Sequence, residues 1–137
     1  MFDIGFNPGD IVKHDEICKK AKCGCMGGIR YSVEKNVVLL FIKPNSNYEN
    51  TWSGDTFRFM GSGKGNQSAT SSTNKRITDS SLNGTALCLF EWVDSIHLKY
   101  IGRMVLAGEP YYELRKSVVG DDERKVIFPL KKATADK

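Results

Sequence analysis

The chain has 137 residues, of which 40% are apolar and 26% charged, the proportions of one ordinary globular domain. It holds no apolar run approaching the roughly eighteen residues of a membrane-spanning helix, and its start lacks the basic and hydrophobic segments of a secretory signal, so a cytoplasmic protein is expected. The net charge of +4 is too mild to imply nucleic acid by itself, but from Thr56 to Thr78 Arg58, Lys64, Lys75 and Arg76 stand without a single carboxylate.

In chain order, Gly9-Asp-Ile-Val12 reads as a turn into a short strand. Lys13 to Lys22 has helical composition, with Ile17 and Ala21 on one face and glycines around Cys25 to close it. Gly27 to Ser32 opens a strand, and Asn36 to Ile42 is a continuous apolar run suited to a strand buried on both faces. Pro44 to Asn50 is a polar loop. Thr56 to Met60 alternates like a strand and ends at Gly61 and Gly63, while Gln67 to Ser81 reads as an irregular or short helical crossing. Ala86 to Trp92 is a second buried strand. The segments His97–Leu106, Tyr111–Arg115 and Lys125–Leu130 form a strand-rich tail, with turns at Gly108-Glu-Pro110 and Gly120-Asp-Asp122. Many short strands, few helices and no β-α-β rhythm predict an α+β fold: a strongly curved mixed sheet or small barrel with one or two short helices. One domain over 1–132 and a polar, frayed tail over 133–137 complete the organisation.

The chemistry-bearing motifs are mostly negative. Cys18, Cys23 and Cys25 are spaced C-x4-C-x-C, with Cys88 distant, which does not match the paired knuckles of a structural zinc site even with His14 and His97 available. Reduced, partly buried thiols and no metal or other cofactor are therefore expected. Gly61-Ser-Gly63-Lys64-Gly65 fails the phosphate-loop pattern because no Ser or Thr follows Lys64, and fails G-x-G-x-x-G because Asn66 stands at the third glycine. No hydrolase or zinc-protease signature is present. Asp121, Asp122, Glu123 and Lys125 sit in an expected hairpin turn, where solvated charges are the ordinary reading and a small metal-dependent nuclease the rival one.

The positive signal lies between Tyr48 and Gln67, where aromatics, glycines and amides crowd together with lysine and arginine. Aromatic faces stack on bases, glycines admit a close backbone approach, and cations meet phosphates. Taken with Gly9-Asp-Ile-Val12, Cys23-Gly-Cys-Met-Gly27-Gly-Ile-Arg30, Tyr48-x-Asn50-x-Trp52, Gly54-Asp-x-Phe57-x-Phe59-x-Gly61-x-Gly63-x-Gly65-Asn-Gln67, Asn74-Lys75, Leu89-Phe-Glu91 and Arg124-Lys-Val126-x-Phe128-Pro-Leu130, the chain resembles SRA-like domains over roughly residues 9 to 131. These are PUA-like readers of modified bases attached to bacterial modification-dependent (type IV) restriction endonucleases, often of the HNH type.

That resemblance implies a non-enzymatic module that binds duplex DNA carrying a modified base, a 5-substituted cytosine, rotates the base out of the stack, and directs a nuclease on a fused segment or partner chain. It places Tyr48 and Phe59 as pocket aromatics and Asn50 as the reader of the base edge, where many members carry an aspartate. Trp52 is a further pocket candidate, with core packing as its competing role. The resemblance also assigns Arg30, Arg58, Gly61, Gly63, Lys64, Gly65, Gln67, Asn74, Lys75 and Arg76 to the DNA backbone. Asn50 both donates and accepts, so its preference for cytosine is left open. A PUA-like RNA-binding module is the alternative reading of the same barrel.

Overall fold

In the computed structural model the described residues are 2–23, 28–43, 51–61, 66–70, 72–116 and 120–133. They form nine strands and three short helices: β1 (Ile11–Lys13), α1 (His14–Ala21), β2 (Ile29–Ser32), β3 (Val37–Ile42), β4 (Thr51–Ser53), β5 (Thr56–Met60), α2 (Ser72–Thr78), α3 (Ser80–Asn83), β6 (Ala86–Trp92), β7 (His97–Leu106), β8 (Tyr111–Lys116) and β9 (Asp122–Lys132). The expected α+β architecture stands, with a third helix beyond the one or two anticipated.

The strands make one mixed sheet in the order β2-β3-β6-β7-β9-β5-β4, with β1 added to β7 and β8 added to β9. Only β3 and β6 run parallel; the other pairs are antiparallel. β3 is buried at every position, as its unbroken apolar run requires. Between β6 and β7 the register shifts after Leu89, beside Gly102 at φ 143°, a bulge that bends the sheet.

That bend matters because the sheet curls around its own core. One apolar cluster joins Ile29, Val38, Leu40 and Ile42 of β2 and β3 to Phe57, Phe59, Val126, Phe128 and Leu130 of β5 and β9, although these strands lie toward opposite ends of the order. Ile77 of α2 belongs to the same cluster. The sheet does not close by hydrogen bonds among the described residues; α2 spans the gap, with Asn74 against Gly61 at the end of β5 and Arg76 over Tyr31 of β2. The other face of β3 and β6 is covered by Ile4, Val12, Ile17 and Ala21 from the N-terminal segment, β1 and α1.

Local details differ from the sequence reading in two places. α1 closes at Lys22, whose φ of 53° is left-handed, rather than at the glycines around Cys25, of which Gly24 and Gly27 fall outside the described residues. β4 was not anticipated; it pairs with β5 across the turn Gly54-Asp55, with Gly54 at φ 61° supplying the conformation that a side chain disfavours. No described helix is long and apolar enough to cross a membrane.

Candidate nucleic-acid interface

The glycine-rich segment leaves the sheet at Gly61 and returns at Asn66, and both posts are sewn to β9. The Gly61 amide donates to Val126 O at 2.9 Å, and the Gln67 amide donates to Arg124 O at 2.7 Å. Where β5 and β9 part, the Gln67 side chain fills the missing rung: Nε2 donates to Gly61 O at 2.9 Å and Oε1 accepts from the Val126 amide at 3.0 Å. Asn66 Oδ1 accepts from the Arg124 amide at 2.7 Å. Asn74 closes the base from α2, donating to Ser68 O at 3.1 Å. A Cβ on Gly61 would lie 2.4 Å from Val126 Cγ1 and 2.8 Å from Asn74 Oδ1, so glycine is required by close approach.

Gln67 and Asn74 were expected on DNA phosphates. Both are instead buried, at 3% and 1% exposure, and their amides hold the loop base together. A polar group buried this deeply must be hydrogen-bonded inside the protein, which takes it away from a ligand. Gly61 is buried as well. Gly63, Lys64 and Gly65 lie outside the described residues, as do Tyr48 and Asn50.

Two further assignments change for the same reason. Arg30 is 7% exposed; its guanidinium stacks 4.2 Å from the Phe41 ring centre and contacts His14 Nε2 and Cys18 Sγ, so it packs α1 onto the sheet rather than facing a phosphate. Arg58 bonds the Tyr111 hydroxyl at 3.2 Å and the Glu113 carboxylate, which also takes Arg115 at 2.7 Å. The Tyr111 hydrogen bond first, and Glu113 after it, push the Arg58 pKa up. Its charge is already partnered by Glu113.

Phe59 corrects the expected pocket. Its ring is 3% exposed and packs in the core cluster with Phe57 and Val126, because alternation along β5 turns Phe57 and Phe59 to one face and that face is the interior. Trp52 is 45% exposed and, among the described residues, lines an open hollow of about 480 Å³ with Gly54, Asp55, Lys131 and Lys132; Phe59 is not in that lining.

The exposed cations that remain are joined by residues the sequence reading passed over. Arg124 lies 4.8 Å over the ring of Tyr112, whose hydroxyl accepts from the Ala69 amide at 3.1 Å. This pair therefore flanks the foot of the glycine-rich loop. Arg76 lies 4.2 Å over Tyr31, and Lys75 bonds Asp79 at 2.5 Å while staying largely exposed. Arg124 stood in the closing motif of β9, and Tyr111-Tyr112 was a visible aromatic pair, but only the β8–β9 register puts Tyr112 opposite Val126 beside the loop.

Asp122 pairs with Lys116 at 2.9 Å and Glu123 with Lys125 at 3.2 Å, and no group of three metal-ligating side chains occurs among the described residues. Cys18 and Cys88 are buried thiols and Cys23 is partly buried.

No protein-family model matches the chain, and no curated protein sequence matches it. Solved structures do. The sulfur-binding and SRA domains of ScoMcrA, complexed with phosphorothioated DNA, give a TM-score of 0.72 at 13% identity over 96% of this chain and 41% of that one. The SUVH5 SRA domain in complex with fully methylated CG DNA gives 0.70 at 15% identity, over 96% of this chain and 92% of that one. The chain has the SRA fold. The type IV phosphorothioation-dependent restriction endonuclease ScoMcrA matches with a TM-score of 0.72 at 15% identity, and this SRA-fold chain spans 28% of its length.

Proposed function

We propose that this domain binds duplex DNA carrying a modified base, with the foot of the glycine-rich loop and the Tyr112–Arg124 pair at the contact. The observation that carries the reading is the double anchoring of that loop on β9, in a fold whose solved relatives hold methylated, hydroxymethylated and phosphorothioated DNA. Anchoring of the two posts holds the foot of the loop in place on the sheet, the arrangement by which rigid scaffolds present binding loops. Arg124, Lys75 and Arg76 supply backbone charge, and Tyr112 and Tyr31 supply ring faces beside it.

In this reading the modified base is a 5-substituted cytosine rotated out of the duplex, with Tyr48 stacking on it and Asn50 reading its edge. Rotation costs a few kcal/mol, offset by stacking of about 1–3 kcal/mol and by edge hydrogen bonds. A methyl group adds about 0.8 kcal/mol of burial, enough to discriminate but not to dominate. The domain directs a nuclease carried elsewhere, on a fused segment or a partner chain.

Fluorescence anisotropy on duplexes differing only in one cytosine substituent or one phosphorothioate tests the proposal. Tighter binding to one modified duplex is expected, with 2-aminopurine beside the target brightening as the base leaves the stack. Equal affinity for all duplexes, or stronger binding to structured RNA of equal length, overturns it. Arg124→Ala should weaken every duplex and lower the salt slope by about one unit.

A further inference from the structure

The hollow beside Trp52 sits at the other end of β5 from the glycine-rich loop, roughly 15 Å away at the rise of an extended strand. We propose that it is a second nucleotide subsite, which stacks one unpaired nucleobase on Trp52 and holds the attached phosphate with Lys131 and Lys132. It lies apart from the Tyr112–Arg124 contact at the foot of the glycine-rich loop.

The Trp52 ring is braced from behind by Phe57, with centroids 5.1 Å apart and an interplanar angle of 58°, and Phe57 is 1% exposed. That bracing leaves Trp52, 45% exposed, with a rigid aromatic surface toward the hollow, and an exposed tryptophan held in one place is a ready stacking platform. The space beside Gly54 is open, since a Cβ there would meet nothing within 4 Å. The volume of about 480 Å³ falls within the range of small-ligand sites and suits a base with its sugar phosphate.

The charges select the ligand. Lys132 Nζ lies 6.0 Å from the Trp52 ring centre, at the edge of cation–π range, where it can serve both the ring and a phosphate on a base stacked there. Among the described residues, neither Lys131 nor Lys132 is held in an ion pair. Asp55, the one carboxylate among the described lining residues, only accepts hydrogen bonds, matching an exocyclic amino group or a sugar hydroxyl. Two ammonium groups disfavour a cationic ligand at the same ring. A planar, amino-bearing group with a phosphate satisfies all of these together.

Intrinsic fluorescence tests the proposal, because the chain has two tryptophans and Trp92→Phe leaves Trp52 as the sole reporter. The probes are 5′-dAMP and a 5′-phosphorylated single-stranded DNA octamer without modified bases. Saturable quenching is expected, weakened about tenfold or more by Lys131→Ala with Lys132→Ala, and unchanged by Arg124→Ala. Quenching by the octamer alone identifies a nucleotide within a strand; quenching by dAMP identifies the free nucleotide. Absence of saturable quenching by either probe, or quenching indifferent to both lysines, overturns the proposal. Anisotropy of a labelled octamer with Trp52→Ala gives a readout that does not need the Trp92 variant: a loss of about fivefold to a hundredfold is expected, and unchanged affinity overturns the assignment. Because Arg124 lies outside this subsite, failure here leaves the modified-base reading standing.

Discussion

Gln67→Ala is the sharpest test of how the glycine-rich loop is held. The substitution removes an amide that is 3% exposed and leaves the Val126 N–H and the Gly61 carbonyl without the partners it supplied. Each buried backbone group deprived of its hydrogen bond costs about 1–3 kcal/mol, so the pair sets a range of about 2–6 kcal/mol. A water entering the vacated place moves the loss toward the lower end, and about 3 kcal/mol is expected. For a domain of this size, at roughly 4 °C per kcal/mol, Tm falls by roughly 12 °C. Urea and thermal unfolding measure this directly. Gln67→Glu sharpens the argument: one oxygen still accepts from Val126, but the other faces the Gly61 carbonyl, which disfavours the ionised form and raises the pKa of the introduced carboxyl. Its deficit relative to the parent should be smallest below the ordinary carboxylate range and grow as pH rises through the raised pKa. Gln67→Ala within 0.5 kcal/mol of the parent would refute the bridging role. Loss of DNA binding at unchanged stability would return Gln67 to the ligand.

Gly61→Ala should cost about 1–3 kcal/mol through overpacking against Val126, partly recovered in combination with Val126→Ala, as a double-mutant cycle in urea would show. Arg30→Ala should destabilise by about 1–3 kcal/mol, because it removes the Phe41 stack and the His14 and Cys18 contacts, while leaving the salt slope of DNA binding unchanged. Burial pushes the Cys88 thiol up to about 12, so pulsed alkylation at pH 8 with mass spectrometry should find Cys88 unmodified in the native state and modified in urea. The sign for stability follows: the raised thiol pKa makes folding favourable relative to the unfolded chain below about 9, and that contribution is lost as pH climbs from about 9 to about 12.

Much of the fold was legible along the chain. The unbroken apolar run of β3 and the similar run of β6 are the two strands that pair in parallel, and alternation marked β5 with its glycine exit. β4 was missed because three residues carry too little periodicity, although Gly54-Asp55 was a turn signal in plain view. The candidate site was less legible. A glycine-and-amide segment announces a loop that approaches something closely, yet an amide that grips a ligand and one that grips its own backbone have the same sequence.

What composition and periodicity determine by themselves is the set of elements and their apolar faces, because these depend on residues near one another in the chain. Which polar groups remain for a partner was decided only in three dimensions. Gln67 meets Val126 across 59 positions and Arg58 meets Glu113 across 55, so no local pattern could reveal that these groups were already bonded. Phe57 and Phe59 share a face by alternation, but that face became the interior because β2, β3, β9 and α2 close over it. Tyr112 reached the loop because the β8–β9 register carried it there. Burial is a property of what arrives from elsewhere in the chain, and the sheet's curvature chose the arrivals.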